Sequence, residues 1–370
     1  MLVIVAPDKF KGTLSAREAA AAIARGVLEV YPTAEVALMP LADGGDGTMD
    51  VLIEAIGGER FYEDVCGPNG APVRAPLCRL ADGDVFVEMA LASGLTLLTA
   101  EPLDPLGASS EGTGRLIAAA GRLDPPNLIV GVGGSASTDG GTGAARALGW
   151  RFLDRRGRDL APGGGALVEL ATIEPPAHVP SGVVGACDVS SPLIGPAGAA
   201  RVFAAQKGAT PSEVALLDRA LENLRDVALG RLGIDIGSLA GGGAGGGMGA
   251  GLVAFLGAEL RSGFALVAEA TGFTERVAGA AFVLTGEGRI DEGTAAAKVP
   301  AGVARLARAA GVPCFAVAGE ISIPDEVLTD LGFTATVGSR TEADSRDVTD
   351  RSDALVSATI TLLKRHGPPV

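Results

Sequence analysis

The chain has 370 residues, and its 44 Asp+Glu against 30 Lys+Arg give a formal net charge of −14. That balance excludes a basic nucleic-acid binder, whose phosphate contacts need a cationic surface, but leaves room for a small anionic substrate in one local cationic pocket. With 47% hydrophobic and 20% charged residues the composition is globular, and the length suits two domains at roughly 100–200 residues each.

In chain order, Leu2–Ala6 reads as a short strand suited to a buried parallel sheet. The opening residues lack a basic run and carry too short an apolar run for a signal peptide. Ser15 with Glu18 three residues on has capping-box spacing ahead of an Ala-rich helix to Val30. Glu35–Met39 is the second strand, followed by the loop Asp43-Gly-Gly-Asp-Gly-Thr48 and a helix to about Ile56. From Phe61 to Glu88 short strands are broken by Gly-Pro-Asn-Gly and Ala-Asp-Gly-Asp turns. Asn127–Val132 is a buried strand, and Arg151–Ile173 carries further turns at Asp154–Gly157 and Pro162–Gly165.

The stretch Ile236–Ala258 carries no charge and is long enough to cross a bilayer. Its glycines argue instead for a glycine loop leading into a buried helix, so no membrane association is expected. In the last third a strand at Ala281–Thr285 is expected to end in a glycine-rich loop. A helix at Val299–Ala310, strands at Cys314–Ala318 and Thr334–Val337 and a helix at Asp353–Lys364 close the chain. The two ends together supply the strands and helices of a doubly wound α/β sheet. The fold class is therefore α/β, with residues 1–57 plus 261–370 forming one domain and 58–260 a second α/β domain inserted into it.

The only histidines are His178 and His366, which points to a carboxylate rather than an imidazole as general base. Cys66, Cys78, Cys187 and Cys314 form no CxxC pair, so neither a zinc site nor a disulfide framework is indicated, and a reduced, cytoplasmic protein is expected. Lysine is scarce: Lys9, Lys11, Lys207, Lys298 and Lys364 stand against arginine everywhere else. The first four lie in or beside glycine- or proline-containing segments, where a compact ammonium can reach a phosphate. Lys364 reads as surface.

Three glycine segments could cradle an anion: Gly131–Gly141, Thr285–Asp291 and Gly241–Gly251. None fits the P-loop pattern. The first satisfies G-x-G-x-x-A after a strand, which keeps open a nicotinamide-dependent oxidoreductase with Asp154 on the ribose, although Arg151–Gly157 reads as a hairpin. Acids follow strands at Asp8, Asp43, Asp188 and Asp291. Acids, lysines and anion-friendly loops together describe phosphoryl transfer, which needs a cationic cradle, a carboxylate for Mg²⁺ and a carboxylate for the attacking hydroxyl. A small-anion binding protein without turnover is the other alternative.

Long blocks in fixed order then carry a resemblance: Ala6-Pro-Asp-Lys-Phe-Lys-Gly-Thr-Leu-Ser-Ala16, Leu41-Ala-Asp-Gly-Gly-Asp-Gly-Thr48, Glu88-Met-Ala-Leu-Ala-Ser-Gly-Leu95 and Gly133-Gly-Ser-Ala-Ser-Thr-Asp-Gly-Gly141. Ala186-Cys-Asp-Val-Ser-Ser-Pro-Leu193, Gln206-Lys-Gly208 and Thr285-Gly-Glu-Gly-Arg-Ile-Asp291 continue it. The chain resembles the type 1 glycerate kinases over nearly its whole length. The resemblance implies ATP- and Mg²⁺-dependent phosphorylation of D-glycerate, most often to 2-phosphoglycerate. It also implies a flavodoxin-like doubly wound parallel sheet interrupted by a second α/β domain.

On that reading Asp188, with Asp291 as second choice, orients or deprotonates the substrate hydroxyl, and Lys207 with Lys298 neutralises charge on the transferring group. Asp8, Lys9, Lys11, Gly133, Gly134, Ser135 and the Gly286, Glu287, Gly288, Arg289 segment bind phosphate or glycerate, and Asp43 or Asp139 holds Mg²⁺. No nucleic acid partner is expected, and the protein would be a monomer or homodimer. The chain departs from the family pattern at Ser191, where Asn is usual, at Ala204-Ala205, where Gly-Pro is usual, at Gly293, where Gln is usual, and at Ala297, where Gly is usual.

Overall fold

The computed structural model describes residues 1–98, 103–339 and 348–368. The strands along them are β1 (Leu2–Val5), β2 (Glu35–Leu38), β3 (Gly58–Cys66), β4 (Pro72–Leu80), β5 (Val85–Glu88), β6 (Leu128–Gly131) and β7 (Arg151–Leu153). They continue as β8 (Thr172–Glu174), β9 (Val183–Ala186), β10 (Glu259–Arg261), β11 (Phe282–Ile290), β12 (Cys314–Ile321) and β13 (Ala335–Gly338). Contacts group the chain into two units. One holds Met1–Asp43, Asp50–Ala55 and Phe264–Val370, and the other holds Gly44–Met49 and Ile56–Gly263.

The first unit carries a five-stranded sheet in the order β13-β12-β11-β1-β2, with every neighbouring pair parallel. Numbered within the unit this is 2-1-3-4-5, the flavodoxin order, whose ligand crevice lies at the C-terminal strand ends. The helix Ala16–Val30 begins where the Ser15/Glu18 spacing places it. The Glu18 N–H donates to Ser15 Oγ at 3.2 Å and the Ser15 N–H to Glu18 Oε2 at 2.8 Å, a cap worth about 1 kcal/mol. Gly26 lets the closing helix approach, since a Cβ there would lie 2.6 Å from Thr359 Cβ. Under this pair Phe282 meets Tyr31 and Phe315 with ring centroids at 5.7 and 5.6 Å, each ring contributing about 1.5–3 kcal/mol on burial.

One expectation fails here. The strand placed at Ala281–Thr285 does not end in a loop: β11 continues to Ile290, pairing in parallel with β12 through Glu287↔Ala318 and Ile290↔Ile321. Gly286, Glu287, Gly288 and Arg289 are therefore strand residues. The glycines relieve crowding: a Cβ at Gly286 would lie 2.1 Å from Val317 O, and one at Gly319 would lie 2.5 Å from Gly288 O. Local composition reads such a segment as a loop because its extended form depends on a partner strand. The closing helix likewise runs further than expected, over Val348–His366.

The second unit carries a six-stranded mixed sheet, β10-β9-β6-β5-β4-β3. β3, β4 and β5 pair antiparallel, whereas β5, β6, β9 and β10 are parallel. β7 pairs antiparallel with β8 in a separate ribbon. The uncharged stretch after Ile236 becomes the helix Ala244–Leu256, whose first turn is broken at Gly245, Gly246 and Gly247, all with positive φ. No helix among the described residues is long and apolar enough to cross a membrane.

Candidate active site

In the first unit the segment after β1 brings Asp8 back over β11. The Asp8 N–H donates to Gly286 O at 2.8 Å, and the Lys9 N–H donates to Asp8 Oδ1 at 2.7 Å. Asp8 and Glu287 are buried while Lys11 is exposed. Burial first, then the negative charge of Asp43 and, more weakly, of Glu287, pushes the Asp8 carboxyl up to about 7. Burial also pushes Glu287 up to about 7, helped by Asp291 and Asp43 and opposed by the Thr294 hydroxyl and Lys298. Thr294 Oγ1 donates to Glu287 Oε1 at 2.6 Å, and Lys298 Nζ stands 3.9 Å from Glu287 Oε2 and 3.8 Å from Asp291 Oδ1.

Asp291 caps the helix Glu292–Ala297, accepting the Thr294 N–H at 3.2 Å. Gly293 lies against the same lysine, with Lys298 Nζ 3.6 Å from where its Cβ would be, whereas the side chain of Ala297 lies outside the described residues. Arg289 turns to Glu320 at 2.7 Å. The segments after β1 and β2 and the middle of β11 thus carry Asp8, Asp43 and Glu287, hard oxygen donors, and the negative charge of Asp43 helps raise the carboxyls of Asp8 and Glu287. Among the described residues no three His, Cys, Asp or Glu side chains are grouped closely enough to hold a metal by themselves, so one or two of these carboxylates at most would meet a Mg²⁺ ion, which keeps waters or phosphate oxygens for the rest.

In the second unit the Gly131–Gly141 segment leaves β6 as expected. Its glycines are needed for chain packing: a Cβ at Gly133 would lie 2.6 Å from Gly45 Cα, and Gly134 sits at φ 71. Lys207 is buried at 3% exposure and donates from Nζ to Ser135 Oγ at 2.7 Å and to Ser137 O. Burial pulls this ammonium down to about 7, opposed by the charge of Asp139. Beside it the hydroxyls Ser137 Oγ and Thr138 Oγ1 are buried without a hydrogen-bond partner.

Asp139 is enclosed. Its Oδ2 accepts the Ser110 N–H and Oγ–H at 2.8 Å each and the Gly143 N–H at 3.2 Å, and its Oδ1 accepts the Gly141 N–H at 3.2 Å. These donors make it the anchor of the following helix. Asp188 follows β9, half-buried, and accepts from Ser262 Oγ at 2.5 Å. The Ser191 carbonyl accepts the Gly243 N–H at 2.9 Å, and Ala204 is fully buried.

The dinucleotide alternative meets a different geometry. β7 turns back into an antiparallel ribbon, and Asp154 binds Arg158 at 2.7 Å inside that turn, where no second parallel strand presents it to a ribose. The third glycine segment packs onto the first, since a Cβ at Gly246 would lie 2.0 Å from Ser137 O and 2.9 Å from Lys207 Nζ.

Glu88 was absent from the acids singled out in the sequence. It ends β5, is buried, and accepts the Gly47 and Met49 N–H groups. The available signal was an acid at the end of a buried strand. Ser110 and Thr294, which fix Asp139 and Glu287, gave none.

The model of the glycerate kinase family matches residues 3–365. The chain belongs to the glycerate kinase family. A glycerate kinase of Bacillus subtilis is 44% identical over 90% of this chain and 89% of its own. A glycerate 2-kinase of Escherichia coli is 39% identical over the same shares. A solved structure described as a glycerate kinase 2 from Salmonella typhimurium LT2 superposes with a TM-score of 0.84 at 39% identity, covering 99% of this chain and 98% of that one. Glycerate phosphorylation is therefore the enzyme's activity, which removes the oxidoreductase and the binding protein without turnover.

Proposed function

We propose that the enzyme transfers the γ-phosphoryl group of ATP, with Mg²⁺, to the 2-hydroxyl of D-glycerate, giving 2-phosphoglycerate and ADP. The Escherichia coli relative named a glycerate 2-kinase supports the position of attack. The observation that carries the chemistry is the pair of buried carboxyls Asp8 and Glu287 near Asp43, both pushed up to about 7 by burial first and, less, by the Asp43 charge.

Asp43, with Asp8, would hold Mg²⁺, which when bound supplies positive charge to the phosphate oxygens. Lys9, Lys11 and Lys298 then neutralise the remaining charge of the triphosphate, the dominant requirement in this chemistry. Asp188 accepts the proton of the glycerate hydroxyl as that oxygen bonds to the γ-phosphorus and the bond to the ADP oxygen breaks. Lys207 holds Ser135 and Ser137 in place, so that Gly133, Gly134 and Ser135 keep one conformation against an anionic ligand. Asp139 serves as the anchor of that loop, which leaves Asp43 as the metal residue. Asp291 and Thr294 fix Lys298 and Glu287, and the protein works as a soluble cytoplasmic enzyme on small molecules.

The test is purified protein with Mg-ATP and D-glycerate, following ADP release and identifying the product by ³¹P NMR. A 2-phosphoglycerate resonance supports the reading. A 3-phosphoglycerate resonance refutes the position of attack, and no ADP release refutes the use of ATP.

A further inference from the structure

Glu88 is a buried carboxylate with no part in the mechanism above. At 1% exposure its charge is costly unless both oxygens are satisfied. Oε1 accepts the Gly47 N–H at 2.8 Å and Oε2 accepts the Met49 N–H at 3.1 Å. These donors flank Thr48, the first residue of the helix Thr48–Ile56, where N–H groups lack intrahelical partners and negative charge is favoured. Thr48 Oγ1 donates to Gly45 O at 2.6 Å and closes the turn from the other side. The side chain of one strand thus caps a helix 41 residues earlier in the chain.

The loop that Glu88 holds has a single seat. A Cβ at Gly131 would lie 2.3 Å from Gly44 O, one at Gly133 would lie 2.6 Å from Gly45 Cα, and one at Gly44 would lie 3.0 Å from Ala186 O. Gly44 and Gly45 are therefore pressed onto Gly131, Gly133 and Ala186, at and just beyond the ends of β6 and β9, directly after Asp43. From this geometry we infer that Glu88 is a positioning residue for phosphoryl transfer: its carboxylate fixes the end of the Asp43–Gly47 loop and thereby the setting of the acids that loop carries, Asp43 and Asp46. The inference rests on the reading that Asp43 serves Mg²⁺.

Glu88→Gln is the informative variant, because it keeps the shape but turns one acceptor into an NH₂ group facing an N–H. The expected result is a folded enzyme whose kcat falls about 10- to 100-fold and whose half-saturating Mg²⁺ concentration rises several-fold, as when groups supporting a metal site are removed. KM for D-glycerate should stay within about twofold of wild type, because uniform binding is untouched. Unchanged kcat and Mg²⁺ dependence in the folded variant overturn the inference, as does a loss of activity that only tracks loss of folded protein. Amide exchange on the wild-type enzyme provides a test that does not need the variant to fold: Gly47 and Met49 should be slow to exchange, and free exchange at both refutes the clamp. The wild-type assay separates the two levels. A wild type that releases no ADP sinks the phosphoryl-transfer reading, whereas an active wild type beside an unaffected Glu88→Gln sinks only the role of Glu88.

Discussion

Replacing Glu287 by Gln should stabilise the protein above neutral pH while damaging its turnover. Glu287 has its folded pKa raised from 4.5 to about 7, so between those values the folded chain binds more protons than the unfolded one. Stability from this group is fully present below about pH 4.5 and is lost as pH rises through about 7. A shift of that size corresponds to about 3 kcal/mol. Glutamine is never charged and its Oε1 can still accept from Thr294 Oγ1, so the cost of burying a carboxylate disappears. The lost attraction to Lys298, whose side chain is 39% exposed and 3.9 Å away, returns at most about 1 kcal/mol. Asp8 is also slightly relieved, since Glu287 is the weakest of the charges raising it. The net expectation is about 2 kcal/mol at pH 8 and almost none at pH 4.5. Thermal unfolding at both values in EDTA reads this as a Tm raised by several degrees at pH 8 only, at about 2–4 °C per kcal/mol for a body of this size. A Tm lowered at pH 8, or equally shifted at both values, refutes the argument. The wild type should also gain stability at pH 8 on adding Mg²⁺, by an amount set by the Mg²⁺ concentration relative to its Kd.

Two further substitutions probe the second unit. Asp188→Asn should lower kcat by about 10²–10⁴-fold, the usual worth of a positioned base, with Tm unchanged, and steady-state assays beside thermal unfolding check it. Lys207→Arg should lower both Tm and kcat, because the guanidinium must fit where Gly246 already comes within 2.9 Å of the ammonium as a Cβ position. The wild type should also gain stability as pH rises from about 7 toward 10.5, the window over which the buried Lys207 sheds its proton before an unfolded lysine does; Lys207→Met should lose that slope.

Much of the fold was legible because local rules and tertiary outcome agree. The Ser15/Glu18 box starts its helix where expected, and the apolar runs at Leu2–Val5 and Leu128–Gly131 are strands. β11 was misread beyond Thr285 because its second half is rich in glycine and extended only through pairing with β12. The same ambiguity affected the anion loops. Sequence alone does not say whether a glycine admits a ligand or another backbone, and at Gly133, Gly246 and Gly286 the neighbour is backbone. Lysine scarcity pointed to Lys207, but its burial against Ser135 and Ser137 depends on residues some 70 positions away. Ser110 lies 29 positions from Asp139 and Gly47 41 positions from Glu88, so the roles of these acids as anchor and clamp could not be read from spacing.

The flavodoxin-type sheet has a consequence for how the protein is made. β1 pairs with β2 soon after both emerge, but its other neighbour, β11, begins only at Phe282. At about 5–20 residues per second a ribosome needs some tens of seconds to travel from one to the other. For that time the open edge of β1 is unpaired, while Ile56–Gly263 contains all six strands of its own sheet and can be completed first. Late synthesis of the C-terminal third therefore leaves an apolar edge exposed for longest at the N-terminus, the place where a chaperone or an aggregation partner would meet the nascent enzyme.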